Sequence, residues 1–252
     1  MAPSLRACLT AWLLAGLLLG ARADMRVVTS VYEPYRIGPD SGLVVEAFLA
    51  ACRAGGLAGV KVEMMPTERA RKTFEADAHV VLIDSDTSLD TLPGRARYAM
   101  LKQWPYEVSL YYVKASFAPA GIGSVKDVAG KQMGYYRADE ATRRYFDGLG
   151  AVMLPLDPHS RLFSMLLKGR IDVMVSVDLT AEWELDRQDP RWRERIAAFG
   201  PFYKGHAGPL YHLGEPEVGA FLARYQEGYR RIVADGSLQA IQARYRQARR
   251  QP

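Results

Sequence analysis

An α/β fold built from two units is what this chain predicts, and three observations predict it. Short β-branched runs alternate with segments of helical apolar spacing over residues 26–83, and the alternation resumes over residues 132–177. A stretch rich in Ala, Pro and Gly, residues 115–123, separates the two runs. The composition is that of a packed domain: of 252 residues, 49% are hydrophobic, 24% charged and 10% aromatic, which excludes a disordered chain, a collagen-like repeat and a disulfide-stapled miniprotein.

The first segment reads as an export signal. Arg6 precedes an uncharged stretch, residues 7–20, that contains Trp12, Leu13, Leu14, Leu17, Leu18 and Leu19. Ala21-Arg22-Ala23 then places small residues at −3 and −1 of a cleavage site before Asp24. The apolar stretch is shorter than the ~20 residues of a membrane span. Cys8 lies at its start, so the cysteine that lipid attachment requires just after the apolar stretch is missing. The expected product is a soluble protein outside the inner membrane that starts near Asp24. It keeps one cysteine, Cys52, which sits in a helix-spaced apolar stripe with Val44, Ala47, Phe48 and Ala51 and reads as a small buried hydrophobe.

Each element of the mature chain has a local reason. Residues 26–30 form a β-branched first strand, and Pro34, Gly38, Pro39, Asp40 and Gly42 make a loop. Residues 43–53 carry the apolar stripe of a helix that Gly55-Gly56 ends. Val60, Val62 and Met64 alternate as a strand, and Thr67 is expected to cap a helix that runs to about Ala76. Residues 80–83 are a buried strand that enters a polar loop, Asp84-Ser85-Asp86-Thr87-Ser88, whose two aspartates read as loop-forming and capping residues. Residues 107–114 give a further strand.

In the second unit, strands are predicted at 132–136, 152–154 and 171–177. A helix capped by Asp139 and a helix over 160–168 lie between them. Asp189-Pro190 then predicts a helix start, with Trp192 and Ile196 inward and Gly200 after it. Two terminal helices follow from the spacing of Val218, Phe221, Leu222, Tyr225, Tyr229 and Ile232, and of Leu238, Ile241 and Tyr245, with Asp235-Gly236 between them.

Charge and motifs narrow the function. Lys plus Arg number 33 against 28 Asp plus Glu, and removing Arg6 and Arg22 leaves 31 against 28. An excess of three positive charges is too small to suggest nucleic acid. The four histidines, His79, His159, His206 and His212, do not pair at metal-ligand spacing, and Gly121-Ile122-Gly123 is a loop and not a dinucleotide fingerprint. No catalytic motif, metal or cofactor is expected. Ligands of open α/β sheets bind beyond the carboxyl ends of strands, so two facing units make a cleft that closes on a ligand.

Five segments resemble the family-3 extracellular solute-binding proteins, the polar amino-acid receptors of ABC importers among them. They are Tyr32-Glu33-Pro34-Tyr35 after the first strand, and Ser41-Gly42-Leu43-Val44-Val45-Glu46 at the first helix. Ser124-Val125-Lys126-Asp127-Val128-Ala129-Gly130-Lys131 with Met133-Gly134-Tyr135 opens the second unit. Lys168-Gly169-Arg170-Ile171-Asp172 precedes its last strand, and Ala234-Asp235-Gly236-Ser237-Leu238 with Ile241 and Tyr245 marks the C-terminal helices.

The resemblance implies a two-lobed periplasmic binding protein type II fold, a Venus flytrap, each lobe a mixed sheet flanked by helices. The divisions it implies are a signal peptide at 1–23, lobe one at 24–112, lobe two at 113–200, and a return strand with C-terminal helices at 201–252 packing on lobe one. Hinge strands are expected near Tyr111 and over residues 208–213. The implied ligand-binding residues are Tyr32, Arg69, Ser85, Arg95, Arg137 and Asp178, with Arg97 a rival to Arg95. Where amino-acid receptors carry Gly-Thr-Thr, this chain has Arg137-Ala138-Asp139, and Val177 stands where they place an acidic residue, with Asp178 one later.

The implied function is capture of a small polar ligand, amino-acid-like or an organic acid, by a monomer serving an ABC permease or a sensor ectodomain. A periplasmic enzyme on the same fold, cyclohexadienyl dehydratase-like, and a binding protein without a transporter are the alternatives.

Overall fold

The computed structural model describes residues 25–247. The predicted signal segment and its cleavage site lie outside them. Among the described residues no helix is long and apolar enough to cross a membrane.

Nine strands form one mixed sheet: β1 (Arg26–Thr29), β2 (Val62–Met64), β3 (Val80–Ser85), β4 (Tyr98–Met100), β5 (Trp104–Val113), β6 (Gln132–Tyr136), β7 (Val152–Leu156), β8 (Val173–Val177) and β9 (Ile196–His212). The order is β2-β1-β3-β9-β5-β8-β6-β7, and β4 pairs with β9 off that path. Parallel pairs sit at both ends, β2-β1-β3 and β8-β6-β7. Antiparallel β5 and β9 cross between them. The helices are α1 (Leu43–Ala54), α2 (Thr67–Ala76), α3 (Asp86–Thr91), α4 (Glu140–Asp147), α5 (His159–Leu167), α6 (Asp178–Gln188), α7 (Pro216–Ala234) and α8 (Ser237–Gln247).

Each end of the sheet is covered on both faces, so its strands read as near-continuous apolar runs. In the first lobe, Val27, Val81 and Ile83 pack on Phe48 of α1 and on Leu222 and Tyr225 of α7. Val28 and Leu82, on the opposite face, pack on Phe74 of α2, Tyr98 and Leu210. In the second lobe, Tyr111 and Met174 pack on Leu162, Phe163 and Leu185. Leu110, Val173 and Val175 face Met133 and Phe146. The C-terminal helices dock on α1, where the Tyr245 hydroxyl donates to the Glu46 carboxylate and the Gly42 amide donates to the Tyr245 oxygen.

Three elements differ from the sequence expectation. The helix expected after Asp189-Pro190 is a single turn, Trp192–Glu194, and the chain then enters the 17-residue strand β9. Trp192 and Ile196 do point into one core, which is what helical spacing also gives over so short a window. Helix α6 follows β8 directly, and its mixed-charge sequence concealed it. Residues 86–91, expected as loop, form α3, with the Ser85 hydroxyl accepting from the Ser88 amide. The crossing also lies elsewhere on the strands: β9 leaves β5 and joins β3 near Ala207, which faces both Trp104 and Ser85.

Candidate functional site

A cavity of about 340 Å³ lies between the two ends of the sheet. Its wall draws on the carboxyl ends of β3, β6 and β8, the starts of α3, α4 and α5, and the crossing segments of β5 and β9. That is where an open α/β sheet places its ligand.

The loop after β1 supplies the first residues. Tyr32 and Arg36 exchange backbone hydrogen bonds of 2.8 and 2.9 Å, which turns both side chains toward the cavity. The Tyr32 ring lies 4.9 Å from the His159 ring of α5, and the Arg36 guanidinium sits 5.4 Å from the Tyr32 ring centre. Burial pushes the Tyr32 hydroxyl pKa up, so it stays a neutral phenol. Burial also pushes His159 down to about 4, so its ring is uncharged at neutral pH.

Beneath this loop, Arg36 Nη1 donates to the Ile83 carbonyl at 2.9 Å and to Asp84 Oδ1 at 3.1 Å. Burial alone would raise the Asp84 pKa, but Arg36, Arg71 and the Ser85 amide together hold it below the ordinary carboxylate range. Arg71, on the inward face of α2, donates from Nη2 to Ser88 Oγ at 2.9 Å and from Nη1 to the Ala138 carbonyl at 3.3 Å. Its Nε is buried without a hydrogen-bond acceptor, 3.8 Å from Asp84 Oδ2.

The opposite wall is apolar. Ser109 faces a bulge on β9, where Gly200 takes φ 144° and a side chain there would press on Ser109 Oγ at 2.6 Å. The bulge re-aims the strand and brings Phe202 to the cavity. Phe202 meets Phe146 edge-on at 5.7 Å and stacks with Tyr145 at 6.3 Å. Val108, Val175 and Tyr106 complete this wall. Asp86 braces the crossing from below, accepting from the Tyr106 hydroxyl at 2.6 Å and the His206 amide at 2.8 Å.

Of the six side chains expected from the sequence, Tyr32 and Ser85 line the cavity. Arg69 stands on the exposed face of α2, while Arg71, two residues and about 200° further round the helix, faces inward. Arg95 lies beyond α3 on the turn Arg95–Arg97. It bonds Asp90 Oδ1 at 3.2 Å and the Tyr98 carbonyl at 3.0 Å, away from the cavity. Arg97 donates to the Tyr98 hydroxyl at 3.1 Å and is also outside. Arg137 is exposed and donates to Asp157 Oδ2 at 2.5 Å. Asp178 starts α6 and accepts from the Tyr111 hydroxyl at 3.4 Å. Burial raises its pKa, and it does not line the cavity.

Sequence reading passed over Arg36, Asp84 as a buried ion pair, Arg71 and His159. The available signal was a pair of arginines next to already suspected residues, Tyr32 and Arg69. Cys52 is buried, with its thiol pushed up to about 12 by burial. Among the described residues no group of three or more His, Cys, Asp and Glu side chains is placed to hold a metal ion.

Comparison with known proteins gives a consistent fold. A histidine kinase sensor domain with similarity to periplasmic binding proteins matches with TM-score 0.66 and 18% identity, over 89% of this chain and 96% of its own. An ancestral arginine-binding protein bound to arginine matches with TM-score 0.66 and 17% identity, over 88% of this chain and 97% of its own. An ancestral amino acid-binding protein, described as a precursor of cyclohexadienyl dehydratase, matches with TM-score 0.64 and 14% identity, over 92% of this chain and 98% of its own. No protein-family model matches the sequence, and no curated protein matches it. The chain has the two-lobed fold of the periplasmic binding proteins.

Proposed function

We propose that this chain is a solute-binding protein that captures a small polar ligand between its lobes and presents it to an ABC importer or a sensor. One observation carries the reading: the cavity takes its wall from both ends of the sheet, with a buried Arg36–Asp84–Arg71 set on one side and aromatic rings on the other. A ligand held by both walls favours the closed arrangement by its differential affinity for it. Tyr32, Ser85, Arg36 and Arg71 are the contacts we assign to it. The lobes are assigned as residues 24–112 with 201–252, and 113–200. The protein acts in the periplasm as a monomer after cleavage near Ala23.

Binding without turnover is favoured over catalysis by the carboxylates. An enzyme on this fold needs a cavity carboxyl with a raised pKa to serve as acid or base. Asp84 and Glu140, the cavity carboxylates whose pKa departs from the ordinary range, are both shifted down. Glu140 is held at about 2 by its hydrogen bonds from Arg143 and Arg144. A thermal-shift screen of the purified protein against amino acids, polyamines and organic acids tests the proposal. A ligand at 100 times its Kd adds about 2.7 kcal/mol to stability. A panel in which no member raises the melting temperature overturns it.

A further inference from the structure

We propose that the cavity selects a carboxylic acid with a ring-bearing apolar body and no ammonium group. The inference rests on the binding-protein reading above and narrows its ligand.

The two walls ask for different chemistry. The first lobe contributes Arg36, Arg71, Asp84, Ser85 and Ser88. Two guanidiniums and one carboxylate line that wall, and the exposed Glu68, 3.6 Å from Arg71, is the only other carboxylate among the described residues paired with them. Arg36 spends its Nη1 on Ile83 and Asp84. Arg71 makes its hydrogen bonds to neutral groups, Ser88 Oγ and the Ala138 carbonyl. The carboxylates near it, Glu68 at 3.6 Å and Asp84 at 3.8 Å, stand outside hydrogen-bond range. A ligand carboxylate entering here meets a planar fork of donors in a site that sheds water on closing, where such a pair is stronger than at the surface. The second wall, Tyr145, Phe146, Val175 and Phe202 with Val108, offers rings in stacked and edge-on array, with the carboxylates Asp139 and Glu140 at the start of the same helix as Tyr145 and Phe146. It suits a flat or cyclic hydrocarbon body.

Among the described residues, an ammonium group finds no cavity carboxylate that is not already accepting hydrogen bonds from the protein. Three carboxylates line the cavity, and each is already engaged. Asp84 holds Arg36 and lies beside Arg71. Glu140 holds Arg143 at 2.6 Å and Arg144 at 3.0 Å. Asp139 caps α4, accepting from the Thr142 amide at 3.0 Å and the Thr142 hydroxyl at 2.6 Å. An α-ammonium placed beside a carboxylate bound at Arg71 would lose its water near two guanidiniums, a cost that only a free acceptor offsets.

Paired ligands isolate that one group. Titration calorimetry compares 3-phenylpropanoate with L-phenylalanine, 3-(4-hydroxyphenyl)propanoate with L-tyrosine, indole-3-propanoate with L-tryptophan, and 4-methylpentanoate with L-leucine, with propanoate and L-alanine as the pair lacking a body. The expected result is that the tightest ligand is a ring-bearing acid, and that its amino-acid counterpart binds at least about ten-fold more weakly, equivalent to about 1.4 kcal/mol. In Arg71→Met the preference for that acid over its uncharged alcohol falls by a similar factor. Should this variant not fold, the wild-type pairs decide alone.

An amino acid that equals or beats its paired acid overturns the inference while leaving a binding protein. So does a tightest ligand without a ring. Silence from all ten compounds overturns it too, and the broad screen above then decides separately whether the binding-protein reading survives.

Discussion

Arg36 Nη1 lies 3.1 Å from Asp84 Oδ1, with the two side chains only 10% and 8% exposed at the wall of the inter-lobe cavity. The pair joins residues 48 positions apart, from the loop after β1 and the strand β3, and holds one cationic wall in place. A buried pair of this kind is weak evidence of stability, but breaking it is expensive because the surviving charge is left without a partner.

Asp84→Ala is therefore expected to cost about 3–5 kcal/mol in urea unfolding at pH 7. The native pKa of Asp84 lies below its ordinary value of 3.8. Its contribution is fully present above that ordinary value and is lost as pH falls below about 3.8 toward the native pKa. The gap between wild type and variant should narrow in that window, and a constant gap down to pH 2 would count against the ion pair.

His159 acts in a higher window. Its pKa is about 4 in the folded chain against 6.5 for a free imidazole, so the unfolded chain binds the extra proton between those values. Stability is present above pH 6.5 and is lost as pH falls through 4. Between pH 7 and 4.5 the loss from this group is about 2 kcal/mol by linkage. Unfolding of His159→Gln at the two pH values should show that much less loss than wild type.

Gly228 marks a close approach of α7 to α1. A side chain there would come within 1.9 Å of the Ala51 carbonyl oxygen and 2.5 Å of the Gly55 nitrogen. Backbone atoms cannot yield as a side chain can, so Gly228→Ala should destabilise by about 3 kcal/mol. The site lies away from the cavity, so ligand affinity of the folded protein should be unchanged; equilibrium unfolding and calorimetry on the same variant check both halves.

Arg95 is the opposite case. Its side chain is 47% exposed and pairs with an exposed Asp90. Arg95→Ala should change stability by less than about 0.5 kcal/mol and leave ligand affinity at the wild-type value. A large affinity loss measured by calorimetry would return the anion-gripping role to this residue.

What was legible in the sequence followed from local chemistry. The apolar stripes of α1 and α7 and the Asp139 cap each rest on residues within a few turns of one another, and the structure has all of them, whereas Thr67, expected as the cap of α2, is its first helical residue after Pro66 and makes no capping hydrogen bond. Tyr32 and Ser85 were placed by lying just beyond strand ends. Strand β9 was expected only as a return strand over residues 208–213, and its first half was hidden because Gly200, Pro201, Gly205, Gly208 and Pro209 punctuate it as a loop would be punctuated and its pairing with β5 and β3 is wholly long-range. Arg95 was placed by its interval from Trp104-Pro105-Tyr106. The chain instead winds Asp86–Thr91 into a helix, which carries Arg95 past the cavity to the outer turn. Arg69 missed by two helical positions, and the Arg36–Asp84 pair depends on a contact that no local spacing records.

The central claim is that the cavity between the lobes is where the ligand sits, and filling it tests that claim most directly. Ala141, on α4, lines the cavity, and Ala141→Trp places an indole inside it. Calorimetry with the best ligand from the screen should find one site per chain in wild type and no measurable binding in Ala141→Trp, while both proteins melt as single folded species. Wild-type affinity in a folded Ala141→Trp protein would contradict the account and place the ligand elsewhere.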